Sequence, residues 1–376
     1  MLNLPATSNM PPPITIPVYK PDLSGKEKIY VNECLDTTWI SSKGVFINRF
    51  QDEFSKYIGA KDSVAVCNGT VALHLALLAL DLGPGDEIIV PSLTYIAAVN
   101  AIRYVGATPI FADSKLDTWQ VDPEDVARRI TPKTKAILAV HLYGQACEMG
   151  NLCALAKKHN LFVIEDCAEA FGTKIGKQHV GTFGDIATFS FFGNKTITTG
   201  EGGMVTAKDP AILKLALKLR GQGLADTREY WHDVVGYNYR MTNICAAIGL
   251  AQLERADEFI AKKRAVKEKL QAELKDLPIE FHSEVSGTTH SYWMISILTN
   301  KAAQRDALRE SLRQAGIETR PLFHPAHTMP MYARTDNHLK RAMDLASRGI
   351  NLPSWPGLSD KEISHIAQSI RRHFNS

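Results

Sequence analysis

Residues 189–204 read FSFFGNKTITTGEGGM. An apolar, aromatic run typical of a buried strand stops at Gly193, and a single basic residue, Lys195, follows among small hydroxyl residues and a cluster of glycines. An ammonium group directly after an apolar strand is partly removed from water, which lowers its pKa and makes the amine a better nucleophile. A lysine that simply reaches solvent is the competing explanation, so the meaning of Lys195 depends on its surroundings.

Apolar runs and helical patterns alternate on both sides of this stretch, from about residue 25 to residue 250. The predicted strands are SVAVCNG, DEIIVPS, TPIFAD, TKAILAVHLYG, LFVIEDCAEA, IATFSFFG and GGMVTAK. The helices predicted between them include TVALHLALLALDLG, which we expect to end at Gly83, YIAAVNAIRYVG and NLCALAKKHN. Short continuous apolar strands separated by helices predict an α/β fold with a mainly parallel sheet that is covered on both faces.

The remaining sequence predicts a second, smaller domain and a loose N-terminal arm. Residues 241–275 have the pattern of one long helix whose charged second half bridges to the next domain. SYWMISIL, KAAQRDALRESLRQAG and IETRPLF then indicate a small α+β domain. We expect a flexible Pro-rich arm at residues 1–15, a large domain at 16–255 and a small C-terminal domain at 256–376.

Composition excludes several classes of protein. A chain of 376 residues is longer than one ordinary core needs, and its formal charge of +3 does not suggest a nucleic-acid-binding or membrane-binding surface. No apolar run reaches the roughly 18 residues that span a bilayer. The six cysteines form no CxxC pair and no metal-ligand spacing, which favours a reducing cytoplasm.

In open α/β sheets, ligands lie beyond the carboxyl ends of the strands, so the residues that follow each strand are the candidates for function. Gly69 lets the backbone approach a ligand, and Thr70 can cap a helix whose free N–H groups favour an anion, although a capped turn alone would explain both. Asp166 ends LFVIED and points into the crevice, where a structural ion pair or a helix cap is the alternative. Asn238 and Arg240 precede a helix and could reach a phosphate or cap that helix.

Taken together, these signals describe one kind of site. A helix N-terminus suits a phosphate, an acid suits a pyridine nitrogen, and a lysine suits an aldehyde. Pyridoxal 5′-phosphate (PLP) carries all three of these groups, and proteins orient it through a lysine and an acidic partner of the ring nitrogen. We therefore expect PLP as the cofactor, with pyridoxamine phosphate as its aminated form.

The chain resembles the sugar aminotransferases of the DegT/DnrJ/EryC1/StrS family, which have the aspartate-aminotransferase (type I PLP) fold with a mainly parallel, seven-stranded sheet. The resemblance extends from about residue 16 to residue 359. The motifs that carry it are NGTVALHLAL, PSLTYIAAVNAI, VHLYGQ, VIEDCAEAFG, GTFGDIATFSFFGNKTITTGEGGM, GYNYRMTNICAAIGLAQLE and RPLFHPAHTMPMY.

The resemblance implies a role for each matching residue. Lys195 would bind the cofactor covalently and act as the catalytic residue, and Asp166 would pair with the pyridinium nitrogen. Glu169 occupies a position beside the ring where relatives often carry His or Gln, and Tyr95 would stack on the ring. The cofactor phosphate would be bound by Gly69, Thr70, Ser190 and, from the neighbouring subunit, Asn238. The active site would then require a homodimer.

Substrate contacts are implied less directly. The loop WISSKG and the stretch after residue 319 suit a nucleotide-sugar phosphate or an amino-donor carboxylate, although a plain turn and a surface ion pair explain them equally well. We expect no metal, because Pro325 interrupts the HPAH pair of histidines. The predicted substrate-binding residues are Trp39, Ser41, Ser42, Lys43, Arg320 and His327.

The resemblance also implies a reaction, in which L-glutamate donates an amino group to C4 of a 4-keto-6-deoxy nucleotide sugar, GDP-4-keto-6-deoxy-D-mannose, for a surface glycan such as the O-antigen of lipopolysaccharide. Three alternatives remain at this point. The sugar could be linked to UDP or dTDP, or the protein could be a non-catalytic PLP-binding regulator. A PLP-dependent dehydratase is the third, although in that branch of the family histidine replaces the lysine found here at Lys195.

Overall fold

A seven-stranded sheet forms the centre of the molecule, and its strands alternate along the chain with helices. The computed structural model describes residues 13–333 and 338–375. From edge to edge, the strands are β1 (Val64–Val66), β9 (Gly203–Ala207), β8 (Ile186–Ser190), β5 (Phe162–Asp166), β4 (Thr134–Val140), β2 (Glu87–Pro91) and β3 (Thr108–Ala112). β9 runs antiparallel to both of its neighbours, and every pair from β8 to β3 is parallel. The predicted mainly parallel α/β sheet is therefore confirmed.

Helices pack on both faces of this sheet because successive residues of a strand point to opposite sides. In β2, Ile88 and Val90 belong to the core on one face, and Ile89 belongs to the core on the other. The first face carries α3 (Gly69–Ala79), α4 (Ile96–Tyr104) and α7 (Pro210–Arg220). The second face carries α2 (Val45–Ile58), α5 (Pro123–Arg129), α6 (Met149–His159) and α8 (Asn243–Leu253), and α1 (Glu27–Asp36) packs on α8.

Two helix predictions need correction. The segment 241–275 is two helices, α8 and α9 (Ala256–Leu274), rather than one. Arg255 leaves helical geometry at the junction, with φ −116° and ψ 12°, and its guanidinium binds the carboxylates of Asp22 and Glu258, which holds this corner in place. The helix expected to end at Gly83 ends at Ala79 instead, because the chain leaves the helix at Leu80.

A second sheet lies in the C-terminal part of the chain, and all its pairs are antiparallel. Its strands, in sheet order, are β10 (Ile279–Phe281), β12 (Ile295–Thr299), β14 (Gly349–Leu352) and β13 (Arg320–Pro321). Beside it are α10 (Ala302–Gln314), α11 (Lys340–Arg348) and α12 (Asp360–Asn375). A small third sheet joins β6 (Lys174–Ile175), β7 (Gln178–His179) and β11 (Thr288–Thr289).

The N-terminal part of the chain contacts the C-terminal core. Residues 1–12 of the predicted flexible arm lie outside the described residues. The N–H of Thr15 donates to the carbonyl oxygen of Gly316 at 2.9 Å, and Ile16 packs in the apolar core of the C-terminal sheet. The predicted boundaries at residues 16, 255 and 256 stay predictions. Within the described ranges, no helix is long and apolar enough to cross a membrane.

Two buried histidines, His282 and His290, join the C-terminal part to the loop before α5. His282 Nε2 donates to the carbonyl oxygen of Thr118 at 2.8 Å, and His290 Nδ1 accepts from the N–H of Tyr292 at 2.8 Å. Between the rings, His290 Nε2 donates to His282 Nδ1 at 3.3 Å. This order of donors and acceptors uses one proton on each ring. Burial lowers the pKa of His282 to about 4 and that of His290 well below its ordinary value.

The neutral histidine pair predicts acid sensitivity. The unfolded chain protonates these rings below about pH 6.5, whereas the folded chain resists protonation until lower pH. The free energy of unfolding should therefore fall as the pH drops from about 6.5 towards 4, with a limiting slope of about 1.4 kcal/mol per pH unit for each histidine. Urea unfolding at several pH values would measure this loss.

A His290→Gln variant tests the assignment, because glutamine can still donate to His282 and accept from Tyr292 without titrating. We expect this variant to show a shallower loss of stability between pH 6.5 and pH 4. His159→Gln, at the exposed end of α6, is the matched control and should keep the wild-type slope. Equal slopes in the two variants would contradict the prediction.

Candidate active site

The strand register brings the predicted cofactor residues to one edge of the central sheet. Asp166 at the end of β5 lies opposite Thr188 of β8, so Ser190 lies two residues further along the adjacent strand. Ser190 in turn lies opposite Gly203 of β9, and Gly203 lies opposite Val66 at the end of β1. The loops after β1, β5 and β8 therefore emerge side by side, as the carboxyl ends of parallel strands do.

Lys195 is held by aromatic side chains that are distant in sequence. Its Nζ lies 3.8 Å from the centroid of the Trp293 ring, which is a cation–π contact. The hydroxyl of Tyr19 donates to the carbonyl oxygen of Lys195 at 2.5 Å, and Trp293 Nε1 donates to that of Asn194 at 2.7 Å. Both the amine and the backbone of the lysine are thereby fixed.

The small hydroxyl residues and glycines after Lys195 shape its loop. Thr198 Oγ1 donates to the carbonyl oxygen of Phe191 at 3.1 Å and accepts from the N–H of Gly200 at 2.9 Å. Gly203 starts β9 where the chain is crowded, since a Cβ there would lie 2.7 Å from the carbonyl oxygen of Asn68. The hydroxyl of Thr198 therefore links Phe191 to Gly200 across the loop, and the glycine at position 203 permits close passage of two chain segments.

Two buried carboxyl groups accompany the Lys195 amine. Burial raises the pKa of Asp166 and raises that of Glu169 to about 7, and the nearby Lys195 ammonium opposes both shifts. Burial lowers the pKa of Lys195, and the carboxylates of Glu169 and Asp166 oppose that shift. Glu169 accepts a hydrogen bond at 2.8 Å from the N–H of Tyr143. The backbone of Tyr143 lies in the left-handed region, with φ 57°. The three ionisable groups form one electrostatic unit.

A hydrogen-bonded pair beneath the site supports Asp166. The N–H of His141 donates to the carbonyl oxygen of Asp166 at 3.1 Å, and His141 Nε2 donates to Glu165 at 3.0 Å. Glu165 also accepts three backbone N–H groups from residues 181–184. Within the described ranges, His141, Glu165 and Cys167 form the group with metal-like spacing. His141 Nδ1 already accepts from the N–H of Cys147, so this set acts as a structural anchor.

The start of α3 and Ser190 form a cradle suited to an anion. A Cβ on Gly69 would lie 2.6 Å from Ser190 Cβ and 2.9 Å from its hydroxyl oxygen, so only glycine permits this approach. Asn68, rather than Thr70, caps the helix by accepting from the N–H of Val71 at 3.0 Å. The free N–H groups of the first helical turn and the serine hydroxyl therefore face the same space.

An open cavity of about 570 Å³ lies next to Lys195. Tyr95 and Phe323 line it with their ring centroids 5.5 Å apart, and the guanidinium of Arg320 contacts the carboxylate of Glu318 at 2.5 Å. Other lining residues are Tyr19, Asn194, Trp293, His324 and Met329. Aromatic walls with a few polar groups are typical of small-molecule sites.

His327 is not among the residues that line this cavity. It is 7% exposed, and its Nδ1 is 2.6 Å from the hydroxyl oxygen of Ser92. Of the two histidines in HPAH, it is His324 that lines the cavity. The predicted contact of His327 with substrate is therefore not visible in the geometry of this cavity.

The other predicted residues, Asn238 and the loop at residues 39–43, lie largely at the surface of the chain. The loop containing Trp39, Ser41, Ser42 and Lys43 is largely exposed and is tied to the start of α8, where Asn243 donates to the carbonyl oxygens of Trp39 and Ser41 at 2.7 and 2.6 Å. Asn238 is exposed, and its side-chain oxygen accepts from Arg240 at 3.1 Å. In the part of the chain that the structure describes, no hydrogen bond joins these residues to Lys195, Asp166 or Ser190.

Several residues of the site are not predicted by the sequence. Trp293 and Tyr19 contact Lys195 from distant segments, and nothing in their local sequence indicated this. Tyr143 lies in the motif VHLYGQ, but nothing in that motif predicts that its N–H contacts Glu169. The complete set provides an amine, two carboxyl groups and an anion cradle, which fits the aldehyde, ring nitrogen and phosphate of PLP.

Comparison with known proteins agrees with this geometry. The model of the DegT/DnrJ/EryC1/StrS aminotransferase family matches residues 21–371. A GDP-perosamine synthase of Escherichia coli O157:H7 is 58% identical, with 96% of this chain and 99% of the relative covered. The GDP-perosamine synthase of Vibrio cholerae is 51% identical, with 96% and 99% covered.

Solved structures of aminotransferases share the fold. The aminotransferase TlmJ from Streptoalloteichus hindustanus superposes with a TM-score of 0.92 at 28% identity, with 96% of this chain and 99% of that chain covered. The PLP form of the putative sugar aminotransferase Spr1654 from Streptococcus pneumoniae gives a TM-score of 0.91 at 26% identity, with 97% and 99% covered. The chain therefore belongs to the DegT/DnrJ/EryC1/StrS aminotransferase family, and it is a PLP-dependent enzyme.

Proposed function

We propose that this enzyme transfers the amino group of L-glutamate to C4 of GDP-4-keto-6-deoxy-D-mannose and thereby makes GDP-perosamine. The observation that carries the proposal is the likeness to GDP-perosamine synthases over nearly the full length of both chains, at 58% and 51% identity. The intact set of Lys195, Asp166 and Ser190 supports catalysis rather than binding alone.

The site residues divide the cofactor between them. Lys195 would bind its aldehyde carbon, Asp166 would contact the ring nitrogen, and the start of α3 with Ser190 would bind its phosphate. Tyr95, which lines the cavity, would cover the ring. When bound, PLP supplies an electron sink for the bond changes at the amino-bearing carbon.

Lys195 would move the proton in each half reaction. Burial lowers the pKa of its amine, so a larger fraction is neutral near pH 7 and able to accept a proton. The cation–π contact with Trp293 gives the protonated amine a favourable position from which it returns the proton. The same residue can therefore remove a proton at the α-carbon of glutamate and deliver one at C4 of the sugar.

The carboxyl groups would keep the site in the correct charge state. Ionised Asp166 would contact the ring nitrogen and thereby favour its protonated form. Glu169, with a pKa raised to about 7 by burial, can hold or release a proton near Lys195 in the neutral range. The N–H of Tyr143 fixes the direction of its carboxylate.

The substrate would occupy the cavity beside Lys195. Arg320 offers a guanidinium for a diphosphate or for the carboxylate of glutamate, and its present partner Glu318 would have to release it. We infer that the loop with Trp39, Ser41, Ser42 and Lys43 contributes from a neighbouring subunit, because it is largely exposed and, among the described residues, forms no hydrogen bond with Lys195.

The same reasoning leads us to propose a homodimer with shared active sites. The segment before Asn238 carries exposed apolar residues, with Tyr230 92% exposed and Val235 85% exposed. Two exposed apolar residues of this size in one short segment favour a protein–protein contact. All six cysteines are free thiols, which supports a cytoplasmic location for the enzyme.

The alternatives make different predictions. Lys195 argues against a dehydratase, since by resemblance that branch has histidine at this position. A panel of GDP-, UDP- and dTDP-linked 4-keto sugars separates the nucleotides. A non-catalytic regulator would bind PLP without any reaction with glutamate.

The visible absorbance of the cofactor-loaded protein tests the proposal. Glutamate should remove the visible band of the lysine-bound cofactor, and GDP-4-keto-6-deoxy-D-mannose should restore it. A band that glutamate bleaches and that only a UDP- or dTDP-linked sugar restores would replace the proposed substrate.

Lys195→Ala should abolish both half reactions and the lysine-linked absorbance band, because it removes the amine that lies against the Trp293 ring beside the carboxyl groups of Asp166 and Glu169. Lys195→Arg is the matched control, since it keeps the charge but not a nucleophile, and it should be equally inactive. Single-turnover assays with glutamate measure the loss. Substantial turnover by the alanine variant would refute the role of Lys195.

Shared sites predict complementation between two inactive variants. Lys195→Ala removes the amine, and Asn238→Asp places a negative charge where a partner's cofactor phosphate is expected. Co-expressed mixed dimers contain one site with both wild-type residues, so about a quarter of the wild-type activity should return for random pairing. Separately tagged subunits allow the mixed dimer to be purified. Inactive mixed dimers would mean that Asn238 does not serve the partner's site.

A further inference from the structure

Lys263 is a lysine in the interior of the molecule. It lies on α9, is 0% exposed, and its Nζ donates to the carbonyl oxygens of Trp293, at 3.1 Å, and of Ser354. Its Nζ also lies 5.0 Å from the centroid of the Tyr19 ring. Among the described residues, no carboxylate forms an ion pair with it. Burying an amine without an acidic partner is costly, so an apolar side chain would be the expected occupant of this position.

The groups around Lys263 are the ones that hold Lys195. Trp293, whose carbonyl oxygen accepts from Lys263, places its ring 3.8 Å from Lys195 Nζ. Tyr19, whose ring faces the Lys263 amine, donates its hydroxyl to the carbonyl oxygen of Lys195. Two independent routes therefore connect the buried amine to the reactive lysine.

Ser354 connects the same group to the surrounding strands. Its hydroxyl donates to the carbonyl oxygen of Leu352 at 2.6 Å and accepts from the N–H of Ile295 at 2.7 Å. Its N–H donates to the carbonyl oxygen of Val18 at 3.1 Å, one residue before Tyr19. Lys263 thus binds at the point where β12, the end of β14 and the N-terminal segment meet.

We propose that Lys263 is a positioning residue for Lys195: its amine binds the Trp293 and Ser354 carbonyl oxygens and so keeps the Trp293 and Tyr19 rings where they fix the reactive amine. Without this donor, two buried carbonyl oxygens would lose their partner, and the segment that carries the Trp293 ring would shift to find another. The inference rests on the role of Lys195 in the proposed function and is independent of which sugar is the substrate.

Hydrogen bonding, rather than charge, carries this role. Burial lowers the pKa of Lys263 to about 7, and a neutral amine still has two N–H groups, one for each carbonyl oxygen. Methionine is a similar unbranched side chain, one bond shorter than lysine, and has no N–H donor. Glutamine is also one bond shorter than lysine and can reach at most one of the two carbonyl oxygens.

The test compares Lys263→Met with Val266→Ala, a control on the same helix that weakens the same apolar core without touching the two carbonyl oxygens. We expect the methionine variant to lose roughly tenfold to a hundredfold in kcat of the glutamate half reaction, with a nearly unchanged KM, because small displacements of a reacting group have effects of this size. The control should keep the wild-type kcat. Using glutamate alone keeps the result independent of the sugar.

A second readout requires no cofactor. In cofactor-free protein, the pH dependence of Lys195 acetylation by acetic anhydride, followed by peptide mass spectrometry, reports the pKa of its amine. In Lys263→Met this pKa should rise towards the ordinary lysine value, because relief of burial, the largest influence on this amine, outweighs the loss of the contact with the Trp293 ring. Lys263→Gln should give an intermediate kcat and an intermediate Lys195 pKa.

The outcomes are distinct. If Lys263→Met matches Val266→Ala in both kcat and Lys195 pKa, Lys263 serves only the packing of the core and the proposal is wrong. If the methionine variant does not fold, the glutamine variant decides, and wild-type values in both measurements would overturn the proposal. Failure of the wild-type enzyme with the GDP sugar would leave the acetylation result interpretable and would affect the proposed substrate alone.

Discussion

The withdrawal of one amine from water, with its charge balanced by two carboxyl groups and an aromatic ring, is the condition on which the rest of this site depends. Burial favours the neutral form of Lys195, whereas Glu169, Asp166 and the Trp293 ring favour its ammonium form. Because these two influences on the pKa of Lys195 oppose each other, the amine can both take up and return a proton. The sheet edge, the threonine-rich loop and the helix start all serve to keep these groups together.

The parts of this arrangement that follow from local sequence were predictable. The seven strands of the central sheet agree with the prediction because the apolar pattern of a strand lies in consecutive residues, and Asp166 and Ser190 lie at strand ends as expected. The break at Arg255 was missed because it depends on a contact with Asp22, more than two hundred positions earlier. Helices α1, α2, α5 and α7 were not proposed, although the N-caps Asp122 and Asp209 precede α5 and α7.

The side chains that position the lysine could not be predicted in the same way. Tyr19 and Trp293 are separated from Lys195 by long stretches of chain, and only the packing of the C-terminal sheet against the central one brings them together. Lys263 in a charged helical segment has the appearance of a solvated residue, and its burial depends on the turn of α9 towards β12. The predicted substrate contact of His327 stays a prediction, and its ring contacts the hydroxyl of Ser92.

The reversed direction of β9 has a consequence for how such an enzyme can change. Because β9 returns antiparallel to β8, the segment that bears Lys195 leaves and re-enters the sheet at the same edge and is closed at both ends by paired strands. Insertions in other parts of the chain therefore need not change the length or the path of this segment. The cavity walls, in contrast, come from several separate parts of the chain, around Tyr19, Tyr95, Trp293 and residues 318–324. Sequence changes in the cavity walls can therefore alter which substrate binds while the position of the Lys195 amine stays the same.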